Sequence, residues 1–160
     1  MSQDLTVDNQ AQADEKVSCL IVPLNDKQLL IPNVTVAEII TYRQIIKSEY
    51  HNDWLLGQLH WRDTLIPVIS YELMNGGIST VSPDARIAII NGIGNHRNMP
   101  FYAIVIQGIP RLVQISQHDI QEVEAMHSGA YDKVMVSLEN QQVVIPNLDD
   151  VEQELLKYTG

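Results

Sequence analysis

The sequence predicts an all-β domain of barrel or sandwich type, closed by one C-terminal helix. Short β-rich apolar runs recur about ten times, and turn signals separate them at intervals of roughly 8 to 12 residues. The apolar spacing changes to a helical repeat only after Asp149. Strands do not alternate with helices as a βαβ sheet requires.

Val17–Leu24 is apolar and β-rich, Asn25-Asp26 breaks it, and Lys27–Ile31 returns, which predicts a hairpin. Beyond Pro32-Asn33, the spacing of Val34, Ala37 and Ile40 fits one helical turn or an irregular strand. Arg43–Lys47 is a short run, and His51-Asn52-Asp53 is a turn. Trp54–Trp61 predicts a strand in which Gly57 marks a bulge or a close backbone approach. Arg62-Asp63 turns the chain into Thr64–Ile69, where Pro67 predicts an edge strand or a bulge. Ser70–Met74 predicts a short helix stopped by Gly76-Gly77. Arg86–Ile90, Phe101–Ile106, Arg111–Ile115 and Ile120–Glu124 predict further strands, with a turn at Ser116–Asp119. Val134–Leu138 and Gln142–Ile145 predict a hairpin across Glu139-Asn140. In the last segment Val151, Leu155 and Tyr158 share a helical face to which Leu156 adds, and Asp149, Asp150, Glu152 and Glu154 suit the positive end of that helix dipole.

The 160 residues hold 20 acids and 10 bases, a net charge of −10. A surface that neutralises many phosphates needs the opposite sign, and an anionic membrane repels this one. Residues 1–16 carry four acids against Lys16 and read as a flexible acidic tail, leaving 17–160 as the folded domain. The N-terminal stretch lacks the charged and apolar regions of a signal peptide, and no apolar run approaches the roughly 20 residues that span a bilayer. Cys19 has no partner for an internal disulfide and sits in an apolar strand, where a buried inert thiol is expected. The expectation is a cytoplasmic protein with no direct membrane insertion.

Catalytic signatures are missing. There is no phosphate-binding P-loop, and Gly92-Ile93-Gly94 has too few glycines for a dinucleotide fingerprint. His51, His60, His96, His118 and His127 are scattered singly, without the spacing of a metal site. His118-Asp119 reads as a solvated turn pair, and no serine occupies a nucleophile elbow. No metal or cofactor is expected, and the chain is not expected to be an enzyme.

Residues 54–73, WLLGQLHWRDTLIPVISYEL, are more specific. Gly57, then Leu59 and Arg62 at a turn, then Pro67-Val68-Ile69 and a short helix resemble the signature of the CheW-like chemotaxis adaptors. Val36-Ala37-Glu38-Ile39 is similar to that family's Val-x-Glu-Ile, and the likeness extends over about residues 17 to 157. The chain departs from the family pattern at Asp63, where a glycine is usual, at Ser70, where an acid is usual, and at Gly108-Ile109-Pro110. In these departures it resembles the ChpC-like adaptors of type IV pilus (twitching motility) systems.

The resemblance implies two small five-stranded, SH3-like β-barrels packed on a common core, with no catalytic activity. It implies two partners, a chemoreceptor's cytoplasmic tip and the regulatory domain of a CheA-like histidine kinase. At the matched positions Arg62 is a receptor contact, or else a turn arginine paired with a local carboxylate. Glu38 is a partner for Arg62 or for a receptor, or a solvated carboxylate. Trp61 is an interface anchor or a core side chain, and Val36 belongs to the same interaction set. Gly57 and Pro67 are structural. The alternative from another class is a small barrel that binds single-stranded nucleic acid. Against it, residues 17–146 hold twelve acids and eight bases, and the aromatics are not interleaved with lysine or arginine.

Overall fold

The computed structural model describes residues 15–50, 52–94, 97–124 and 128–159. The expected acidic tail, over its residues 1–14, and His51, His96 and His127 lie outside the described residues.

Two antiparallel-rich sheets of six strands each form the fold, one more strand in each than expected. The first contains β1 (Val17–Pro23), β2 (Gln28–Pro32), β9 (Arg111–Ile115), β10 (Ile120–Val123), β11 (Asp132–Leu138) and β12 (Gln141–Pro146), in the order β10-β11-β12-β2-β1-β9. The second contains β3 (Val36–Thr41), β4 (Ile46–Lys47), β5 (Leu55–Trp61), β6 (Thr64–Ile69), β7 (Arg86–Asn91) and β8 (Phe101–Ile106), in the order β3-β7-β8-β6-β5-β4. A 3-10 turn at Asn33–Thr35 joins them, and it resolves the ambiguity of that segment: one helical turn, then an irregular strand with a register shift between Val36 and Glu38.

The continuous apolar runs have a simple cause. Leu20, Val22, Leu29, Ile31, Ala88, Ile90, Tyr102 and Ile104 pack into one core between the sheets. The alternate residues of the same strands face the other way. Ile87, Ile89, Ala103 and Val105 fill a second cluster with Trp61, and Cys19, Ile21 and Leu30 fill a third with Val143. Strands buried on both faces cannot show a polar alternation.

Glycine and proline take distinct roles around β5 and β6. Gly57 has φ +147°, and a Cβ there would overlap the Ile46 carbonyl, so β4 can cross only a glycine. The β5–β6 register also shifts between Leu55 and Gly57, the expected bulge. Pro67 corrects an expectation, because β6 lies in the interior of its sheet between β8 and β5. It is tolerated there because the parallel ladder to β8 takes up only Val68 and Ile69, after the proline has passed.

Helix α1 (Tyr71–Met74) starts at Ser70, whose hydroxyl accepts the Leu73 amide at 3.2 Å. Helix α2 (Leu148–Leu156) starts at Asn147, whose side chain accepts the Asp150 amide at 3.1 Å. Val151 and Leu155 are fully buried in the main core. Tyr158 lies in the turn beyond the helix, its ring edge-on to Trp54 and to Tyr50, each at 5.3 Å. Asp132 ties the sheets to α1: it accepts Lys27 Nζ at 2.7 Å, the Tyr71 hydroxyl at 2.6 Å and the Gly129 amide at 2.9 Å. Burial pushes the Asp132 carboxyl up, but these donors outweigh it and hold the group below its ordinary value.

Candidate functional site: the Arg62 turn

The two residues between β5 and β6 are Arg62 and Asp63, with φ of 47° and 60°. Both positive values are those of a tight two-residue hairpin turn, achieved here without a glycine. The alternation of β5 buries Leu55, Gly57, Leu59 and Trp61 and exposes Gln58 and His60. It therefore delivers Trp61 to the core immediately before Arg62 leaves it.

Trp61 takes its core alternative. It is 5% exposed and packs against Phe101 with ring centroids 4.8 Å apart. The Arg62 guanidinium lies over the Trp61 ring, 4.6 Å from its centroid. Arg62 Nη2 reaches Glu38 Oε1 on β3 at 3.3 Å. Arg62 is 68% exposed and Glu38 38%, so the pair contributes little to folding and stays open to exchange for another carboxylate. Arg43 donates to the His60 carbonyl at 3.3 Å, which adds a third charged side chain near the turn.

Glu38, Trp61 and Arg62 thus converge, while Gly57 and Pro67 act on the strands beneath them. Val36 is half-buried and packs against the main core. The exposed apolar residue of that segment is Val34, 84% exposed, with Ile93 half-exposed at the same end of the β3–β7 ladder. In the sequence Val34 groups with Ala37 and Ile40 as one helical turn or an irregular strand, and that spacing does not show which of them faces solvent.

A second surface lies at the β4 edge. A groove of about 460 Å³ is lined there by Ile46, Tyr50, Leu65 and Tyr158 together with polar side chains, among them Lys47, Glu49 and Gln58. Ile46, Tyr50 and Leu65 are large apolar side chains left exposed around it.

The remaining candidates have structural roles. Asp119 accepts the Ser116 amide at 2.7 Å and so closes its own turn; that bond holds its carboxyl below the ordinary range. Cys19 is buried, and burial pushes its thiol up, away from the reactive thiolate. Among the described residues no group of three histidine, cysteine or acidic side chains is placed to hold a metal, and no helix is long and apolar enough to cross a membrane.

The family profile of the CheW-like domain matches residues 18–154. Among solved structures the fold is similar to the scaffolding protein TtCheW from Thermoanaerobacter tengcongensis, with a TM-score of 0.70 at 16% identity, covering 82% of this chain and 84% of that one. No curated protein matches the sequence. The chain belongs to the CheW-like family of non-enzymatic chemotaxis scaffolds.

Proposed function

We propose that this chain is a cytoplasmic adaptor joining the tip of a chemoreceptor to the regulatory domain of a CheA-like histidine kinase. We further propose that its pathway is of the kind that controls type IV pili and twitching. Family membership supports the adaptor role in chemotaxis signalling. The observation that carries the receptor contact is the Arg62 guanidinium, spread over a buried tryptophan and held only by an exposed carboxylate. Such a cation is fixed in place yet still available, as aromatic-supported arginines at interfaces are. An adaptor needs two contact surfaces. The mixed groove beside β4, in which Ile46, Tyr50 and Leu65 stand among polar side chains, suits a second partner without competing for Arg62, and we assign the kinase domain to it.

The test is simultaneous binding. A purified receptor-tip fragment and the regulatory domain of a CheA-like kinase, taken from the genes neighbouring this chain's where such genes are present, should form a ternary complex with it by gel filtration with mass detection. Displacement of one partner by the other, or binding of neither, contradicts the proposal. Pilus response regulators among the neighbouring genes support the pathway, and flagellar ones argue against it. The net charge of −10 disfavours the nucleic-acid alternative.

A further inference from the structure

Gly92, Ile93 and Gly94 run on from the end of β7. The Gly92 amide donates to the Pro100 carbonyl at 2.8 Å. The next two amides donate to Glu152, on helix α2. The Ile93 amide lies 3.0 Å from each oxygen of that carboxylate, and the Gly94 amide lies 3.1 Å from Oε1. Glu152 is 1% exposed, so its carboxylate has given up almost all its hydration for these bonds. A buried carboxylate is a costly way to hold a loop; this one holds the backbone of two loop residues and also lies beside the buried Tyr102 hydroxyl. Gly92 lets this segment approach the backbone of residues 99–100, since a Cβ there would stand 2.9 Å from the Met99 carbonyl oxygen.

The side chain so fixed does little for the core. Ile93 is half-exposed, and Val34 is more exposed still. Val34 is also pinned from below, its carbonyl accepting Asn91 Nδ2 at 3.1 Å. Val36 pairs with Ile90, so Val34 and Ile93 extend past the same end of the β3–β7 ladder. Glu38, the partner of Arg62, lies on the same strand β3.

We propose that Glu152 is a positioning residue for receptor recognition: through the Ile93 and Gly94 amides it fixes Ile93, past the same end of the β3–β7 ladder as Val34, as part of a preformed apolar ledge on the strand pair whose Glu38 meets Arg62. This rests on the receptor reading above. The occupant is a segment of the receptor tip that offers a carboxylate to Arg62 and aliphatic side chains to the ledge. Fixing Ile93 in advance removes an ordering cost that binding would otherwise bear. Helix α2 then supports the recognition surface from beneath as well as covering the core.

The experiment compares Glu152→Gln, Ile93→Ser and Arg62→Glu for affinity to the receptor-tip fragment and to the kinase regulatory domain, with amide hydrogen exchange on each folded variant. Glu152→Gln keeps the side chain's shape but removes the charge and one acceptor. It should speed exchange at Ile93 and Gly94, weaken receptor binding about tenfold, equal to about 1.4 kcal/mol, and leave kinase-domain binding unchanged. A merely structural role would lower both affinities together and overturn the proposal. Should Glu152→Gln not fold, Ile93→Ser, at an exposed position, carries the test: a tenfold loss supports the ledge and an unchanged affinity overturns it. Arg62→Glu weakening the receptor while Glu152→Gln and Ile93→Ser do not would remove this inference alone. Normal receptor binding by all three variants would remove the receptor reading, and this inference with it.

Discussion

The two sheets use the same closing device with the charges exchanged. In the second sheet the edge strand β3 supplies Glu38, which meets Arg62 in the two-residue turn between β5 and β6. In the first sheet the edge strand β9 supplies Arg111, which meets Glu139 at 3.1 Å in the two-residue turn between β11 and β12. Both turns place two non-glycine residues at positive φ, 47° and 60° in one and 53° and 64° in the other. In each sheet the pair brings one edge strand to a turn several strands away, which curls the sheet towards a barrel. The difference lies beneath the turns. Arg62 rests on the ring of Trp61, itself locked in the core, whereas the Arg111–Glu139 pair is exposed on both sides. An exposed ion pair alone is worth about 0–1 kcal/mol. A cation fixed over a buried ring is a preformed contact, and under the receptor proposal this separates the Arg62 turn from a turn that only closes its sheet.

The largest effects should come from what lies under the turns. Trp61→Ala should cost about 3–5 kcal/mol in urea unfolding, and Trp61→Phe much less while still lowering receptor affinity about threefold, as a poorer ring under the guanidinium predicts. Leu138→Ala, just before the other turn, should cost about 2–5 kcal/mol and leave receptor binding of the folded protein unchanged. Equal receptor binding by Trp61→Phe and wild type would erase the distinction between the turns.

The buried pair Lys27–Asp132 marks the other extreme from the two exposed pairs. Asp132→Ala should cost about 3 kcal/mol, against less than about 1 kcal/mol for Glu38→Ala or Glu139→Ala. The folded-state carboxyl of Asp132 titrates below its ordinary value of 3.8. Its stabilisation is therefore full above the unfolded value and is lost as pH falls through the lower folded one. The stability gap between wild type and Asp132→Asn should be constant near neutral pH and narrow below about pH 4. Chemical denaturation at pH 7, 5 and 3 measures it, and a gap that widens on acidification contradicts the assignment.

The smallest effect concerns the turn backbones. Asp63→Gly should stabilise by about 0.5–1 kcal/mol, because glycine meets no steric penalty at positive φ. In a domain of this size that raises Tm by about 1–4 °C. Asn140→Gly should gain less, since asparagine already tolerates this region. A loss of stability in the Asp63 variant would show that the Asp63 side chain supports the turn.

The strands and both helices were legible in the sequence because β-rich runs, turn residues and the final helical repeat are local signals. The Arg62-Asp63 and Glu139-Asn140 turns were legible for the same reason. Pro67 misled, because a proline says that one ladder bond is missing and not on which side of a strand, and β6 simply joins its second neighbour later. Trp61 was ambiguous because alternation fixes its face only once the strand's phase is known. The Glu38–Arg62 meeting spans 24 residues and became visible only through the family motif. Glu152 was illegible: an acid in the first turns of a helix looks the same whether it faces water or accepts amides from a loop 59 residues earlier.

The most direct test of the Arg62 turn is calorimetry of receptor-tip binding with Arg62→Glu and Arg111→Glu side by side, each with a thermal melt. Arg62→Glu should lose about 2 kcal/mol or more, some thirtyfold in affinity, with Tm nearly unchanged because the residue is exposed. Arg111→Glu should bind the receptor as wild type does. Equal loss in both variants, or none in Arg62→Glu, would contradict the claim that the aromatic-supported turn is the receptor contact.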